Sequence, residues 1–367
     1  MIKIIIDLCQ ANGIHFGFFR LVNYITFRAL MGMVFSLFFC LVYGGDLIVL
    51  LYRKGMKDTS GEDNVTPYSK RGTPTAGGLL IIISTMFSLF FWGNFTNTYV
   101  IVLLVGFIYT GVVGFIDDFL KVRFKSSLSG LSQMGKTLML MAFILPFAVF
   151  FLSHLNPMPE QLKTLIYLPF YKTPVLSLPP IIYGSFIVFT MFSIVNAVNI
   201  VDGMDGLLGG TGIIAIGVYT VFAYVIGNSA LSSYLLFPYI PGVEEIVIFC
   251  SILIGAIAGF LWFNTYPAEV FMGDTGSLAI GSVLGMVAFF LKQEFLFPIV
   301  GGLFVFEIFS SFLQEKIGFK MGRRIFYRAP YHHTLTYRGI AEPKAVVRLW
   351  LISIVFALIA LLSLKIR

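Results

Sequence analysis

Ten stretches of mostly apolar residues, near 25–52, 74–92, 98–119, 134–153, 180–200, 207–227, 245–265, 276–291, 295–315 and 345–364, divide this sequence. Each is close to the roughly 20 residues with which an α-helix crosses the hydrocarbon core of a bilayer. In lipid every backbone N–H and C=O must find its partner inside the protein, which restricts stretches of this length to helices. The expected fold class is therefore all-α: a polytopic membrane protein of ten transmembrane helices, forming a single integral membrane domain over residues 1–367. Composition agrees. Charged residues make up 12% of the chain, against about a quarter in soluble proteins. The 36 glycines suit helices that approach closely in lipid.

Charge orients the bundle. The connections 53–73, 120–136 and 316–344 carry five, four and seven Lys or Arg, and the two other connections on that side carry none. The opposite side, both termini included, carries seven: Lys3, Arg20, Lys163, Lys172, Lys292, Lys365 and Arg367. By the positive-inside rule the richer side is cytoplasmic and both termini are extracytoplasmic. The net charge of +7 is then mainly topological, and no nucleic-acid partner is expected. Cys9, Cys40 and Cys250 have no CxxC spacing and read as small apolar residues rather than a disulfide framework or zinc site. Residues 1–24, interrupted by Asp7, Asn12, His15 and Arg20, do not read as a cleavable signal.

Acidic residues beside a span are costly and point to function, and here they gather at one rim. Asp117 and Asp118 end the third stretch, where the helix dipole disfavours negative charge and a cation is called for. Asp202 and Asp205 lie in the Gly-rich turn Asn196 to Gly210, which also supplies Asn199. Asp274, in Phe271-Met272-Gly273-Asp274-Thr275-Gly276-Ser277, precedes the eighth stretch, either as a Mg²⁺ carboxylate or as a plain helix cap. The segment Lys70-Arg71-Gly72-Thr73-Pro74-Thr75 predicts a helix start, with Thr73 as cap and Pro74 in the first turn, able to receive an anion. His332 and His333 lie in the most basic connection, behind a basic, amphipathic stretch over 317–327 fit for the membrane interface.

Together these motifs resemble the polyprenyl-phosphate N-acetylhexosamine-1-phosphate transferases over nearly the whole chain. The stretches Arg71 to Thr75, Asn196 to Leu207 and Phe271 to Ser277 are the most specific, and they resemble the branch of that superfamily handling phospho-N-acetylmuramoyl-pentapeptide. The resemblance implies a Mg²⁺-dependent enzyme of the bacterial cytoplasmic (inner) membrane with a cleft formed by cytoplasmic loops. It would move the phospho-sugar from UDP-MurNAc-pentapeptide to undecaprenyl phosphate, giving lipid I and UMP. A homodimer is implied as well. The nearest alternative is a sister enzyme transferring GlcNAc-1-phosphate. An ion-coupled transporter fits less well, since its acids would sit near the midplane.

Carried over by motif, the resemblance implies that Asp274 binds Mg²⁺ with Asp117 and Asp118 beside it, and that these three and His332 are catalytic. Lys70, Asp205, Asn264 and Phe271 would hold the uridine, with Thr75, Asn199, Asp202 and Gly273 lining the next portion of the site. Gln314, Ala329, His332 and His333 would surround the sugar-peptide and phosphates, and Lys121, Lys125 and Lys136 would add positive charge. The chain departs from the family at Thr334, where a third histidine is usual. Because the acceptor is already an ionised phosphate, direct attack in one step is expected, with Asp117 as its base or orienting group.

Overall fold

The computed structural model describes residues 17–57, 72–124, 130–318 and 320–366. Its principal helices, in chain order, are α1 (Ile25–Arg53), α2 (Gly78–Trp92), α3 (Thr98–Arg123), α4 (Gln133–Leu152), α5 (Pro180–Val201) and α6 (Leu207–Ile226). They continue with α7 (Glu245–Asn264), α8 (Gly273–Phe290), α9 (Glu294–Val300), α10 (Gly302–Gly318), α11 (Tyr331–Tyr337) and α12 (Glu342–Leu362). Among the described residues eight of these are long and apolar enough to cross a membrane. The bent pair α9–α10 makes up to nine if taken as one span. The protein is thus a multi-pass, nearly all-helical membrane protein; a hairpin of two two-residue strands, β1 (Leu165–Ile166) and β2 (Leu176–Ser177), is its described sheet.

Local sequence explains several helix starts. Asn97 and Ser132 cap α3 and α4 by accepting the N–H groups of Val100 and Gly135, and Pro180 opens α5. The faces then sort by environment. On α1, Leu30, Val34 and Phe38 are more than half exposed, whereas Gly32, Ser36 and Cys40, at the same four-residue spacing, are buried. An exposed apolar stripe of this kind is at home in lipid and would be an aggregation surface in water. Inside, hydroxyls join helices: Ser36 donates to the Ile252 carbonyl and Ser88 to that of Gly32, each at 2.7 Å.

The axis of the bundle is α8, whose apolar window is 89% buried, against 22% for α1. It packs on α2, α3, α5 and α6. Two glycines make this possible at its first turn. A Cβ on Gly78 would come within 2.1 Å of the Gly276 nitrogen, and one on Gly114 within 2.1 Å of the Asp274 carbonyl oxygen. The start of α2 and the end of α3 therefore press directly on the turn that carries Asp274.

Four features differ from the sequence reading. First, α2 begins at Gly78, not at Thr73-Pro74. Ala76 has φ +64°, which breaks the helix, and residues 74–78 carry the chain from a β-bridge at Pro74 into the first turn of α2. They exchange backbone hydrogen bonds with Phe271 and Met272, and the Gly77 and Gly78 N–H groups donate to those two carbonyls. The N–H groups of Gly77 and Gly78 at this helix start are therefore taken by protein carbonyls, tertiary pairing having outweighed the capping preference of Thr73, while Lys70 and Arg71 of the foreseen anion site lie outside the described residues. Second, the ninth stretch is bent by 82° between α9 and α10. Third, Asp274 does not cap α8: it lies inside the helix, which starts at Gly273 after Met272 and has no side-chain cap hydrogen bond. Fourth, described residues 320–330 are turns and bends rather than an interfacial helix.

Two buried charge groups were not singled out in the sequence. Arg28 of α1 holds Glu245 of α7 through two hydrogen bonds of 3.0 and 2.7 Å. Lys292 meets Tyr183, Glu294 and the Lys163 carbonyl where the β1–β2 segment joins α5 and α9. Both fasten helices at the end of the bundle away from Asp274, where breaking either pair would strand a buried charge.

Candidate active site

The site is built around the first turn of α8. An α-helix leaves its first four N–H groups without helical partners. Here carboxylates from two other helices take three of them. Asp118, near the end of α3, accepts the N–H of Asp274 (3.1 Å) on one oxygen and the N–H (3.0 Å) and hydroxyl (2.7 Å) of Thr275 on the other. Asp202, at the end of α5, accepts the N–H of Gly273. Gly273 has φ +71°, and a Cβ there would fall 2.4 Å from Asp118 Oδ2, so glycine is required on both counts. The Asp202 carboxyl is held well above the usual carboxylate range, by burial first and then by the Asp274 and Asp118 charges.

With its backbone fixed in this way, Asp274 turns its side chain to the cations. Its Oδ2 meets Lys121 Nζ at 2.9 Å and Lys136 Nζ at 2.8 Å, and its Oδ1 accepts from Asn199 Nδ2 at 2.6 Å. Asp117 Oδ2 shares the same lysine, 2.6 Å from Lys121 Nζ, while its Oδ1 accepts the Leu131 N–H at 2.6 Å. Asn199 also donates to Ser277 Oγ at 2.8 Å, which ties α5 to α8 behind the acid.

Two carboxylates, Asp117 and Asp274, thus converge on one cationic point with an amide beside them. The donors are hard oxygens, the set that Mg²⁺ takes, and Mg²⁺ usually completes its octahedron with water and substrate phosphates around one or two carboxylates. On that chemistry the residues fit the ion. Asp118 is placed differently from its two fellow acids: three of its roughly four acceptor positions are taken by α8.

Around this centre lie loops that lock one another. Asn264 donates to the Val270 carbonyl at 2.8 Å and accepts the Gly206 N–H at 3.0 Å. Asp205 accepts the Ala268 N–H at 3.1 Å, and its own N–H donates to Glu342 Oε1 at 3.0 Å. These contacts order the loop that leads into Phe271, a half-buried ring at the edge of the centre. Thr75 is half-buried in the segment paired with Phe271, and its N–H donates to the Met56 carbonyl at 3.0 Å.

The histidine loop reaches the centre from α10. His332 is fully buried with its Nε2 against Gly203, where an added Cβ would lie 2.3 Å away, and its ring centroid is 4.3 Å from that of His333. Gln314 accepts the N–H groups of Ile325 and Phe326, and Ala329 is half-buried in the same loop. Thr334 has a definite place: its hydroxyl bonds both the N–H and the carbonyl of Arg328, closing the loop on itself.

The structure therefore brings Asp117, Asp118, Lys121, Lys136, Asn199, Asp202, Gly273 and Asp274 to one turn, with His332 reaching it through Gly203. Lys70 and Lys125 lie outside the described residues. Sequence reading missed Glu307, Ser310 and Glu342, which bind the loops that bear the site. Glu307 was findable, being an acid in the middle of an apolar stretch.

Comparison with known proteins bears on this geometry. The model of glycosyl transferase family 4 matches residues 100–292, which span α3 to the end of α8. A phospho-N-acetylmuramoyl-pentapeptide-transferase of Leptospira biflexa is 39% identical over 98% of both chains. Proteins of the same name from Desulfovibrio desulfuricans and Oleidesulfovibrio alaskensis are 41% and 42% identical, over 95% and 94% of this chain and 96% and 95% of their own. The likeness runs through the helices that carry the acids and on through α10 and the histidine loop, and it makes this chain a member of the phospho-N-acetylmuramoyl-pentapeptide transferase family.

Proposed function

We propose that the protein transfers phospho-N-acetylmuramoyl-pentapeptide from UDP-MurNAc-pentapeptide to undecaprenyl phosphate, releasing UMP and forming lipid I for peptidoglycan synthesis. The observation that carries this reading is the Asp117–Lys121–Asp274–Lys136 cluster at the start of α8, flanked by Asp202 and His332. Joining one phosphate to another brings anions together, so the reaction needs neutralisation and alignment more than covalent help. Lys121 and Lys136 supply fixed positive charge where the phosphates meet. Mg²⁺, held by Asp274 and Asp117, would neutralise the diphosphate and polarise its oxygens. Asp117, steadied by the Leu131 N–H and Lys121, is suited to orient the acceptor phosphate for direct attack.

The acceptor's tail needs an apolar path. A cavity of about 300 Å³ between α5 and the bent α9–α10 pair, lined by Phe186, Phe189, Ile194, Phe297, Pro298 and Ile308, supports this. The uridine end is assigned to Asp205, Asn264, Phe271 and Lys70, and the sugar-peptide to Gln314, Ala329 and His333.

The reading also fixes a topology in the bacterial inner membrane, with the protein working as a homodimer. Ten crossings result if α2, of 15 residues, and the bent pair each count as one. Both termini are then outside and the active-site cleft opens to the cytoplasm. In a variant lacking Cys9, Cys40 and Cys250, Lys320→Cys should react with an impermeant thiol reagent only from the cytoplasm and Glu160→Cys only from outside. Labelling of both from one side contradicts the topology. The function itself is tested by UMP release from purified protein, expected to require both undecaprenyl phosphate and Mg²⁺ and to cease with a chelator. UMP release that persists without the lipid phosphate would count against it.

A further inference from the structure

One face of α10 is turned to the histidine loop. Glu307, Ser310 and Gln314 fall at i, i+3 and i+7, a single helical stripe. Along it Glu307 accepts the His332 N–H on both oxygens (3.1 and 3.2 Å) and Ser310 Oγ accepts the Tyr331 N–H (3.1 Å). Gln314 Oε1 accepts the N–H groups of Ile325 and Phe326 (3.1 and 3.0 Å). Four backbone donors of the loop are thereby held by three side chains of one helix.

Glu307 does more than hold backbone. It and His332 are both fully buried, and Glu307 Oε2 lies 3.3 Å from His332 Nδ1. An ionised carboxylate only accepts hydrogen bonds, and a lone pair on Nδ1 at this distance would face it with repulsion in a low-dielectric interior. The contact is not a hydrogen bond, both ring nitrogens of His332 being buried without a hydrogen-bond partner, but of the two neutral tautomers Nδ1–H is the one that turns a hydrogen and not a lone pair toward the carboxylate. The opposite nitrogen, Nε2, is then left with the lone pair, and it lies against Gly203, between Asp202 and Asp205 in the turn that abuts Asp274. Which imidazole nitrogen is free is set by the bond that the other makes.

We propose that Glu307 is a positioning residue that holds His332 in the Nδ1–H tautomer, with the Nε2 lone pair turned to the Gly203 turn that borders the active site. The proposal rests on reading His332 as a substrate contact of the transferase. Nε2 is then the acceptor nitrogen on the side of the ring that meets the Gly203 turn. The other groups facing the ring are His333, 4.3 Å away between centroids, and the acids of the Gly203 turn.

The chain has four histidines, so ¹⁵N-histidine labelling with His332→Gln for assignment gives a direct readout. The wild-type protein at neutral pH should show His332 protonated at Nδ1 and bare at Nε2. In Glu307→Gln the amide N–H₂ can donate to Nδ1, and the tautomer should reverse. Its kcat should fall on the order of 10²-fold or more, while KM for the nucleotide sugar stays within about threefold, since that substrate's other contacts are intact. A hydrogen on Nε2 in the wild type, or a reversed tautomer with unchanged kcat, overturns the proposal. Should Glu307→Gln fail to fold, the wild-type spectrum alone decides. Absence of UMP release by the wild type would count against the transferase reading, whereas the spectrum tests Glu307 independently.

Discussion

Asp274→Asn should lower turnover by on the order of 10³-fold while leaving the protein folded. The side chain sits where Lys121, Lys136 and Asn199 meet, and both of its oxygens are engaged by them. An amide offers one neutral acceptor in place of two charged ones. Lys121 keeps Asp117 as a partner, but Lys136 is left 3.9 Å from the nearest described carboxylate oxygen. As a hard-cation ligand the amide is also the poorer donor, so the Mg²⁺ concentration for half-maximal rate should rise. The fold should survive because α8 is held through the backbone N–H groups of Gly273, Asp274 and Thr275, which the substitution keeps. Turnover and thermal unfolding measured on the same preparation separate the two effects. A fully active Asp274→Asn enzyme with normal Mg²⁺ dependence would mean that Asp274 is only part of a helix start, where Asn serves about as well as Asp.

Asp118→Ala should do the reverse and damage the fold. The side chain is 3% exposed and accepts three hydrogen bonds from the positive end of α8, the most buried helix of the bundle. Its removal strands two N–H groups and a hydroxyl, at a cost of roughly 3–5 kcal/mol. Unfolding in detergent should shift well below that of the wild type, and activity should be lost with it. Asp118→Asn retains one acceptor and should lie between the two in stability. If Asp118→Ala unfolds like the wild type yet is inactive, Asp118 is acting on substrate or metal and not as the clasp of α8. The two variants together thus distinguish an acid that does chemistry from one that holds the first in place, although both looked alike in the sequence.

That distinction shows where sequence reading stopped. The apolar stretches were legible because length and hydropathy report directly on the bilayer. The acids were legible as a group because Asp117, Asp118, Asp202 and Asp274 all border spans at one rim. Their division of labour was not, since it depends on which oxygen meets which N–H across α3, α5 and α8. The start of α2 was misread for a related reason. Thr73-Pro74 is a good local helix opening, but the carbonyls of Phe271 and Met272, some 200 residues on, claim the N–H groups of Gly77 and Gly78. The bend between α9 and α10 falls at Gly301-Gly302, just after Pro298; breakers inside an apolar run fit a continuous span as well as a broken one, so the pattern did not decide between them. Glu307, an acid within a span, is itself a signal, but its partners in the histidine loop are set by the fold and not by sequence spacing.

The identity of the transferred group defines the activity, and mass spectrometry of the lipid product tests it most directly. Purified protein with undecaprenyl phosphate and Mg²⁺ is given UDP-MurNAc-pentapeptide in one reaction and UDP-GlcNAc in another. The expected result is UMP together with undecaprenyl-diphospho-N-acetylmuramoyl-pentapeptide in the first, and no lipid-linked sugar in the second. A lipid product formed from UDP-GlcNAc alone, or none from the muramoyl donor under conditions in which the protein remains folded, would contradict it.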